Sequence, residues 1–388
     1  MKLLTVSLWG LIVFLLAGCA SVPPPGQSSI TPGYQPPAQS DEAELWFAMR
    51  RFEADLEKSP ARVRDPELNA YVRELSCRVA ADLCPDIRVY VLRSPYFNAF
   101  MAPNGMMVVF SGLLLRVSSE AELAFVLAHE VGHYQQQHSL KNWRQTKNVG
   151  NVFAGIQLIA GGMGSGAVAL AGAIGANANL AAFSREQERE ADAYGYARLR
   201  ELGYDLEAPG LLWAAIWEED RVNPRGLLSS VFASHPATEE RWRTLREKAA
   251  AEQIQGDARA ELLIGRLASF RAAWLEDELA RRNYTQTRVL LDRLKQTPAN
   301  RAETLYFEGE LYRKRAQDGD LERALAAYDL AATDRNAPAE LWRDRGLVLR
   351  RVGRSAEAAA DFRRYLERAP DADDRAMIEH YLGGSYGR

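Results

Sequence analysis

Residues 126–138 read VLAHEVGHYQQQH and hold three of the five histidines in a chain of 388 residues. His129 and His133 are four positions apart, so at 3.6 residues per turn both imidazoles leave one face of a helix and can share a metal ion. Glu130 stands beside His129, placed to take a proton from a water activated there, and Gly132 leaves room for another backbone. Two histidines do not complete a catalytic zinc centre, which uses three protein ligands and an open position. The alternative reading is a helix that merely carries imidazoles.

Working outward, Ser119-Glu120-Ala121-Glu122 is a capping box opening a helix that should run through the motif and past His138. Ser184-Arg185-Glu186-Gln187 is another, opening a helix that reaches Leu202 before Gly203 closes it. The segment SREQEREAD (184–192) offers Glu186, Glu188 and Glu190 as further ligands, and spacing alone does not choose among them. Upstream, IRVYVL (87–92) and GMMVVF (105–110) are short β-rich runs, joined through turn chemistry at Pro103-Asn104-Gly105. The Met106–Phe110 run is either an edge to which an extended substrate adds or an ordinary core strand. Asp41 to Lys58 reads as a helix with a stripe of Leu45, Phe47, Met49, Phe52 and Leu56, and Asp65-Pro66 starts a second.

HExxH followed by SREQEREAD, with NAF at 98–100, GLL at 112–114 and SHP at 234–236, resembles the zinc metalloendopeptidases of the CAAX prenyl protease/HtpX family. The likeness runs roughly from Tyr71 to Arg241. It implies an α+β, mainly helical, gluzincin-type domain with a small sheet over residues 41–255. It also implies one zinc ion per chain, held by His129, His133 and Glu188, with Glu130 as the catalytic base and Asp192 as a supporting partner. Positions 188 and 192 share a helix face, so Asp192 can hold the free nitrogen of a ligating histidine. The layout is most similar to the periplasmic barrel-assembly members of that family. By that likeness His235 sits on the zinc at rest and moves away, or stabilises the oxyanion, when substrate binds; otherwise it is an ordinary loop histidine. His138 reads as a packing or supporting residue, and His380 as a surface one.

The chain opens with Met1-Lys2 and an apolar run from Leu3 to Leu16, too short to span a bilayer comfortably. Leu16-Ala17-Gly18-Cys19 resembles the bacterial lipobox, which implies a signal peptide over 1–18 and lipidation at Cys19. Ala20 after the cysteine, by the same resemblance, favours the outer membrane. Residues 20–40 contain six prolines and no charge, so 19–40 reads as a lipidated tether.

An exported chain meets an oxidising compartment. On one continuous helix Cys77 and Cys84 would stand about 10.5 Å apart, beyond the roughly 7 Å that a disulfide tolerates. Pro85 ends the helix near Leu83 and lets the chain turn back. A bridge is the expectation, with two buried thiols as the alternative. A net charge of −3 with interspersed signs gives no basic patch, which sets nucleic acid aside.

Residues 148–184 carry no charge and many glycines, which fits a packed helical hairpin, with a lid or a lipid-facing surface as alternatives. Over 256–388 a repeat appears. Trp342, Gly346, Ala358, Phe362 and Pro370 stand at tetratricopeptide spacings, and Gly309, Tyr312, Ala324 and Tyr328 form a second copy with extra residues at 317–320. This predicts an all-α solenoid with a concave groove. The combined expectation is an outer-membrane lipoprotein facing the periplasm, a zinc metalloendopeptidase that cuts unfolded or misassembled envelope proteins. The groove would recruit those clients or the outer-membrane assembly machinery. The alternative is a lipid-anchored repeat adaptor or chaperone with a latent or structural zinc site.

Overall fold

The computed structural model describes residues 30–147, 183–222, 235 and 239–383. Cys19, its leader and the charge-free stretch through residue 182 therefore lie outside the described residues.

The first helix, Asp41–Lys58, is capped by Ser40, whose hydroxyl accepts the Ala43 N–H at 3.1 Å. Its apolar stripe divides. Leu45, Phe52 and Leu56 are buried, whereas Phe47 is 58% exposed. Two positions on from Leu45 is about 200° around the helix, so Phe47 points away from the body. The second helix, Pro66–Ala80, opens with Asp65 accepting the Leu68 N–H at 2.8 Å and Pro66 in the first turn. It ends sooner than Pro85 suggests, at Ala81 with φ 52°. A 3₁₀ turn over Ala81–Asp86 then carries Cys84 back to Cys77, and the two are joined by a disulfide with Cα atoms 4.5 Å apart.

Three strands form one sheet: β1 (Arg88–Leu92), β2 (Ala99–Met101) and β3 (Met106–Phe110), in the order β1-β3-β2. β1 pairs with β3 in parallel, Arg88 opposite Met106, and β2 pairs with β3 antiparallel, Ala99 opposite Val109. β3 is thus the central strand, buried along its whole length, and is not an edge. The segment read as a turn between two strands contains the third. β2 is only three residues long and is flanked by turn residues, so it lacks the run of alternating apolar residues that announces a strand.

Residues 30–40, read as the end of a tether, lie on the body instead. Ile30 is buried and its N–H donates to Gln135 O at 3.3 Å. The Gly33 N–H donates to Asp86 at 2.8 Å, and the Tyr34 hydroxyl donates to Glu42 at 3.0 Å. One isoleucine and one tyrosine in a proline-rich stretch are enough to dock it.

Beyond the sheet come Ser111–Arg116, the motif helix Glu120–Gln135, and His138–Lys147. The acidic helix Arg185–Glu201, Ala208–Arg221 and Glu239–Glu252 complete this part. Ala260–Ala280 and Tyr284–Leu294 lead into two helix pairs, Arg301–Arg315 with Asp320–Ala331 and Glu340–Arg351 with Ser355–Arg368, followed by Arg375–Gly383. The repeat glycines mark close crossings within each pair. A Cβ on Gly309 would lie 2.2 Å from the Tyr328 ring, so the tyrosine fills the space that glycine leaves. No helix among the described residues is long and apolar enough to cross a membrane.

Candidate metal centre

The motif helix is buried from Glu120 to Tyr134, which removes its imidazoles from water. Ser119 Oγ accepts the Glu122 N–H at 3.1 Å, as a cap should. The reciprocal bond is displaced by one residue: the Glu122 carboxylate accepts from Ser118 N–H at 2.5 Å rather than from Ser119. His129 Nε2 and His133 Nε2 face each other at 3.0 Å. The helix does not continue past His138. It stops at Gln135, Gln137 takes φ 53°, and a new helix begins at His138. This break turns His138 back toward the motif, where its Nδ1 lies 2.8 Å from His133 Nδ1.

The acidic helix crosses antiparallel to the motif helix. Gly132 is the close point: a Cβ there would lie 3.1 Å from Ala191 Cα, so the glycine permits the approach that brings carboxylates to imidazoles. Its capping box is complete, with Ser184 and Gln187 exchanging both hydrogen bonds. Of the three candidate glutamates only Glu188 enters the cluster. Its Oε1 lies 3.5 Å from His133 Nε2, and its Oε2 lies 3.6 Å from His129 Nε2. Glu186 pairs with Arg189 in solvent, and Glu190 reaches His138 Nε2 at 2.8 Å. One turn on from Glu188, Asp192 Oδ1 lies 2.9 Å from His129 Nδ1.

His235 completes the group. Its Nδ1 is 3.2 Å from His129 Nε2 and 3.0 Å from Glu188 Oε1. Its Nε2 has no hydrogen-bond partner among the described residues and lies 3.5 Å from Glu130 Oε1. His129, His133, Glu188 and His235 thus offer ligand atoms all within 4.8 Å of one another, and all four side chains are buried. Three imidazoles and one carboxylate, buried and convergent, form a site able to hold a metal ion. Phe183 covers it, stacked on His133 with ring centroids 3.9 Å apart.

Arg241 lies beneath the carboxylates, a residue that the sequence did not single out. Its guanidinium donates to Asp192 Oδ2 and Oδ1 at 2.8 and 2.7 Å and lies 2.7 Å from Glu188 Oε2. The same group stands over the Trp213 ring, 4.4 Å from its centroid. Burial alone would raise Asp192, but Arg241 and His129 outweigh it and hold the carboxyl at about 2. Burial opposes ionisation of Glu188 too, yet His235 and Arg241 keep it well below the carboxylate range. Glu130 differs: burial dominates and its carboxyl is raised. Burial likewise holds His133 well below its ordinary value. Two carboxylates are thereby fixed as anions, while the third is poised to gain a proton. No local pattern announces Arg241, whose partners Asp192 and Glu188 both lie on the acidic helix, 49 positions away in the case of Asp192.

Residues 62–249 match Peptidase family M48, and residues 311–383 match a tetratricopeptide repeat. Over 168 residues the chain is 32% identical to the metalloprotease LoiP of Escherichia coli strain K12, covering 43% of this chain and 64% of that one. It is 27% identical over 203 residues to the beta-barrel assembly-enhancing protease of Escherichia coli O157:H7, covering 50% of this chain and 41% of the relative. It is 33% identical over 166 residues to the mitochondrial metalloendopeptidase OMA1 of Arabidopsis thaliana, covering 42% and 32%. In each case the chain spans less than two thirds of the relative's own length. With the buried His/Glu cluster inside the first matched segment and the paired helices inside the second, the chain carries a peptidase family M48 domain followed by tetratricopeptide repeats.

Proposed function

We propose that this chain is a zinc-dependent metalloendopeptidase of the bacterial envelope, with His129, His133 and Glu188 as ligands and Glu130 as general base. The observation that carries the reading is a buried cluster of four donors within 4.8 Å with the Glu130 carboxylate directly beside it. Zinc fits the donor set. Two nitrogens bound tetrahedrally at about 2.0–2.1 Å stand about 3.3 Å apart, and the two pairs here are separated by 3.0 and 3.2 Å. Bound there, zinc supplies the Lewis acidity that makes water a nucleophile at neutral pH and polarises a peptide carbonyl.

The remaining chemistry belongs to the chain. Asp192 holds the His129 ring by its Nδ1, and Arg241 keeps Asp192 charged. Glu130 accepts the proton of the attacking water and delivers it to the leaving amine, a task that its raised carboxyl suits. β2 is an edge strand of the sheet, and the Met101 amide of that strand hydrogen-bonds toward Glu130. An extended substrate adding to β2 would pass its backbone in front of the base, recognised by main chain more than by sequence.

His235 touches both Glu188 and Glu130, which supports a resting state in which this side chain covers the position a substrate needs. Replacing His235 with Ala is therefore expected to raise casein cleavage on the order of tenfold, equivalent to a closed state favoured by about 1.4 kcal/mol. A large loss of turnover would instead make His235 part of the reaction.

Lipidation at Cys19 would hold the protein to the outer membrane, facing the periplasm, and the repeats would bring in unfolded or misassembled envelope proteins or their assembly machinery. The name of the Escherichia coli O157:H7 relative supports that choice of client. The rival, a lipid-anchored adaptor or chaperone with a latent or structural zinc, has no use for a buried base beside the ligands. Zinc content and casein cleavage, measured together on the purified protein, test the proposal. Stoichiometric zinc with cleavage that a chelator abolishes supports it, and absence of zinc from active protein would end it.

A further inference from the structure

His133 has two ring nitrogens, and both are engaged. Nε2 faces the cluster, and Nδ1 faces His138 Nδ1 at 2.8 Å. The other nitrogen of His138 lies 2.8 Å from Glu190 Oε2. Neither His138 nor Glu190 is among the four convergent donors. We propose that His138 and Glu190 are positioning residues that act through His133, a hydrogen-bonded relay fixing which nitrogen of His133 is offered to the metal. The inference rests on the zinc reading given above.

The donor rules leave one arrangement. An ionised carboxylate only accepts, so His138 carries its proton on Nε2, toward Glu190. A neutral His138 then has a lone pair on Nδ1, and the facing Nδ1 of His133 must be the donor. That proton assignment leaves the His133 Nε2 lone pair free and pointed at the cluster. On the other side Asp192 does the same for His129 in a single step. Two lone pairs held face to face at 3.0 Å need a cation between them, which is what the pair of supports prepares.

The backbone is shaped for this contact. On a continuous helix the fifth residue after His133 would point about 140° away from it. The turn at Gln137, φ 53°, restarts the helix and aims His138 back, fully buried. The two supports differ in setting. Asp192 is buried and locked by Arg241, whereas the Glu190 side chain is 45% exposed. Glu190 can therefore be replaced with little risk to the fold.

The test is the zinc dissociation constant of the full chain, measured by competition with a chromophoric chelator. Glu190→Ala removes the terminal acceptor and is expected to weaken zinc about tenfold or more. Glu190→Gln keeps an accepting oxygen but drops the charge, and is expected to stay within about threefold of wild type. Glu186→Ala, on the same helix and paired with Arg189 in solvent, serves as the control and should match wild type. The metal-free forms should melt together, which separates positioning from general support of the fold. Wild-type affinity in Glu190→Ala would overturn the relay, as would a Glu190→Gln variant as weak as Glu190→Ala, because charge alone would then explain the loss. A wild-type protein that takes up no zinc would overturn the zinc reading and the relay together, whereas those two variant results would leave the zinc reading standing.

Discussion

Glu130→Gln is expected to lower casein cleavage by about 100-fold to 10,000-fold, the range that a positioned general base contributes, while zinc content stays at the wild-type level. Glu130 is absent from the four donors that converge on the metal position, so the substitution leaves every ligand in place. It is buried, and its near neighbour in the cluster is His235 Nε2 at 3.5 Å. Glutamine fills the same space and accepts hydrogen bonds, but it cannot take a proton from the attacking water. The sign for stability is favourable or neutral, because burial raises this carboxyl and its ionised form is thus the strained one. A melting temperature at or slightly above wild type, with zinc retained and cleavage lost, separates a base from a ligand. Cleavage within tenfold of wild type would remove Glu130 from the mechanism. If cleavage were lost and the cellular role survived, the adaptor reading would prevail.

The residues on the motif helix were legible because their signals are local. A four-residue spacing, a serine three positions before an accepting side chain and a proline in a first turn each act within one helical turn. His129, Glu130, His133 and both caps can therefore be read directly, as can the helix from Asp41. Glu188 needed a resemblance, since three glutamates on one helix look alike until the partner helix is placed; the close approach at Gly132 is what selects among them. The strand β2 was hidden by its length, and the end of the motif helix by a left-handed Gln137 that no glycine announced. Arg241 and the His138–Glu190 pair belong to tertiary structure alone: the histidine and glutamate that meet are 52 residues apart.

The largest expected effect on stability comes from an arginine that the sequence gives no reason to notice. Arg116 is 1% exposed and donates to Glu219 at 2.7 Å and to Glu278 at 3.0 Å, partners 103 and 162 positions away. Glu219 lies within the peptidase segment and Glu278 on the helix that leads to the repeats, so one guanidinium joins the two parts. Arg116→Met would leave two buried carboxylates short of a countercharge, a change that typically costs 3–5 kcal/mol. Each keeps one other arginine, Arg293 on Glu219 at 3.0 Å and Arg281 on Glu278 at 2.8 Å, and Glu278 also accepts from the Thr287 hydroxyl at 3.2 Å, which places the effect near the lower end, about 3 kcal/mol. At about 2.1 cal/mol/K of unfolding entropy per residue over 388 residues, that is a fall of roughly 4 °C in melting temperature. The pH dependence follows from Glu278. Burial would raise it, but Arg116 and Arg281 hold it below its ordinary value of 4.5. The stabilisation is therefore complete above that value and is lost as pH falls through the lower folded-state value. The gap between wild type and variant should be full at pH 7 and narrow in acid. Glu278→Gln added to Arg116→Met should destabilise less than the sum of the two changes, because the second removes a charge that the first left unpaired. A variant melting within about 1 °C of wild type at pH 7 would mean that the network contributes nothing net, its desolvation cancelling its attraction. The repeats would then be held to the peptidase domain by apolar packing and by the other ion pairs that cross the junction, such as Arg93 with Asp277 at 2.7 Å.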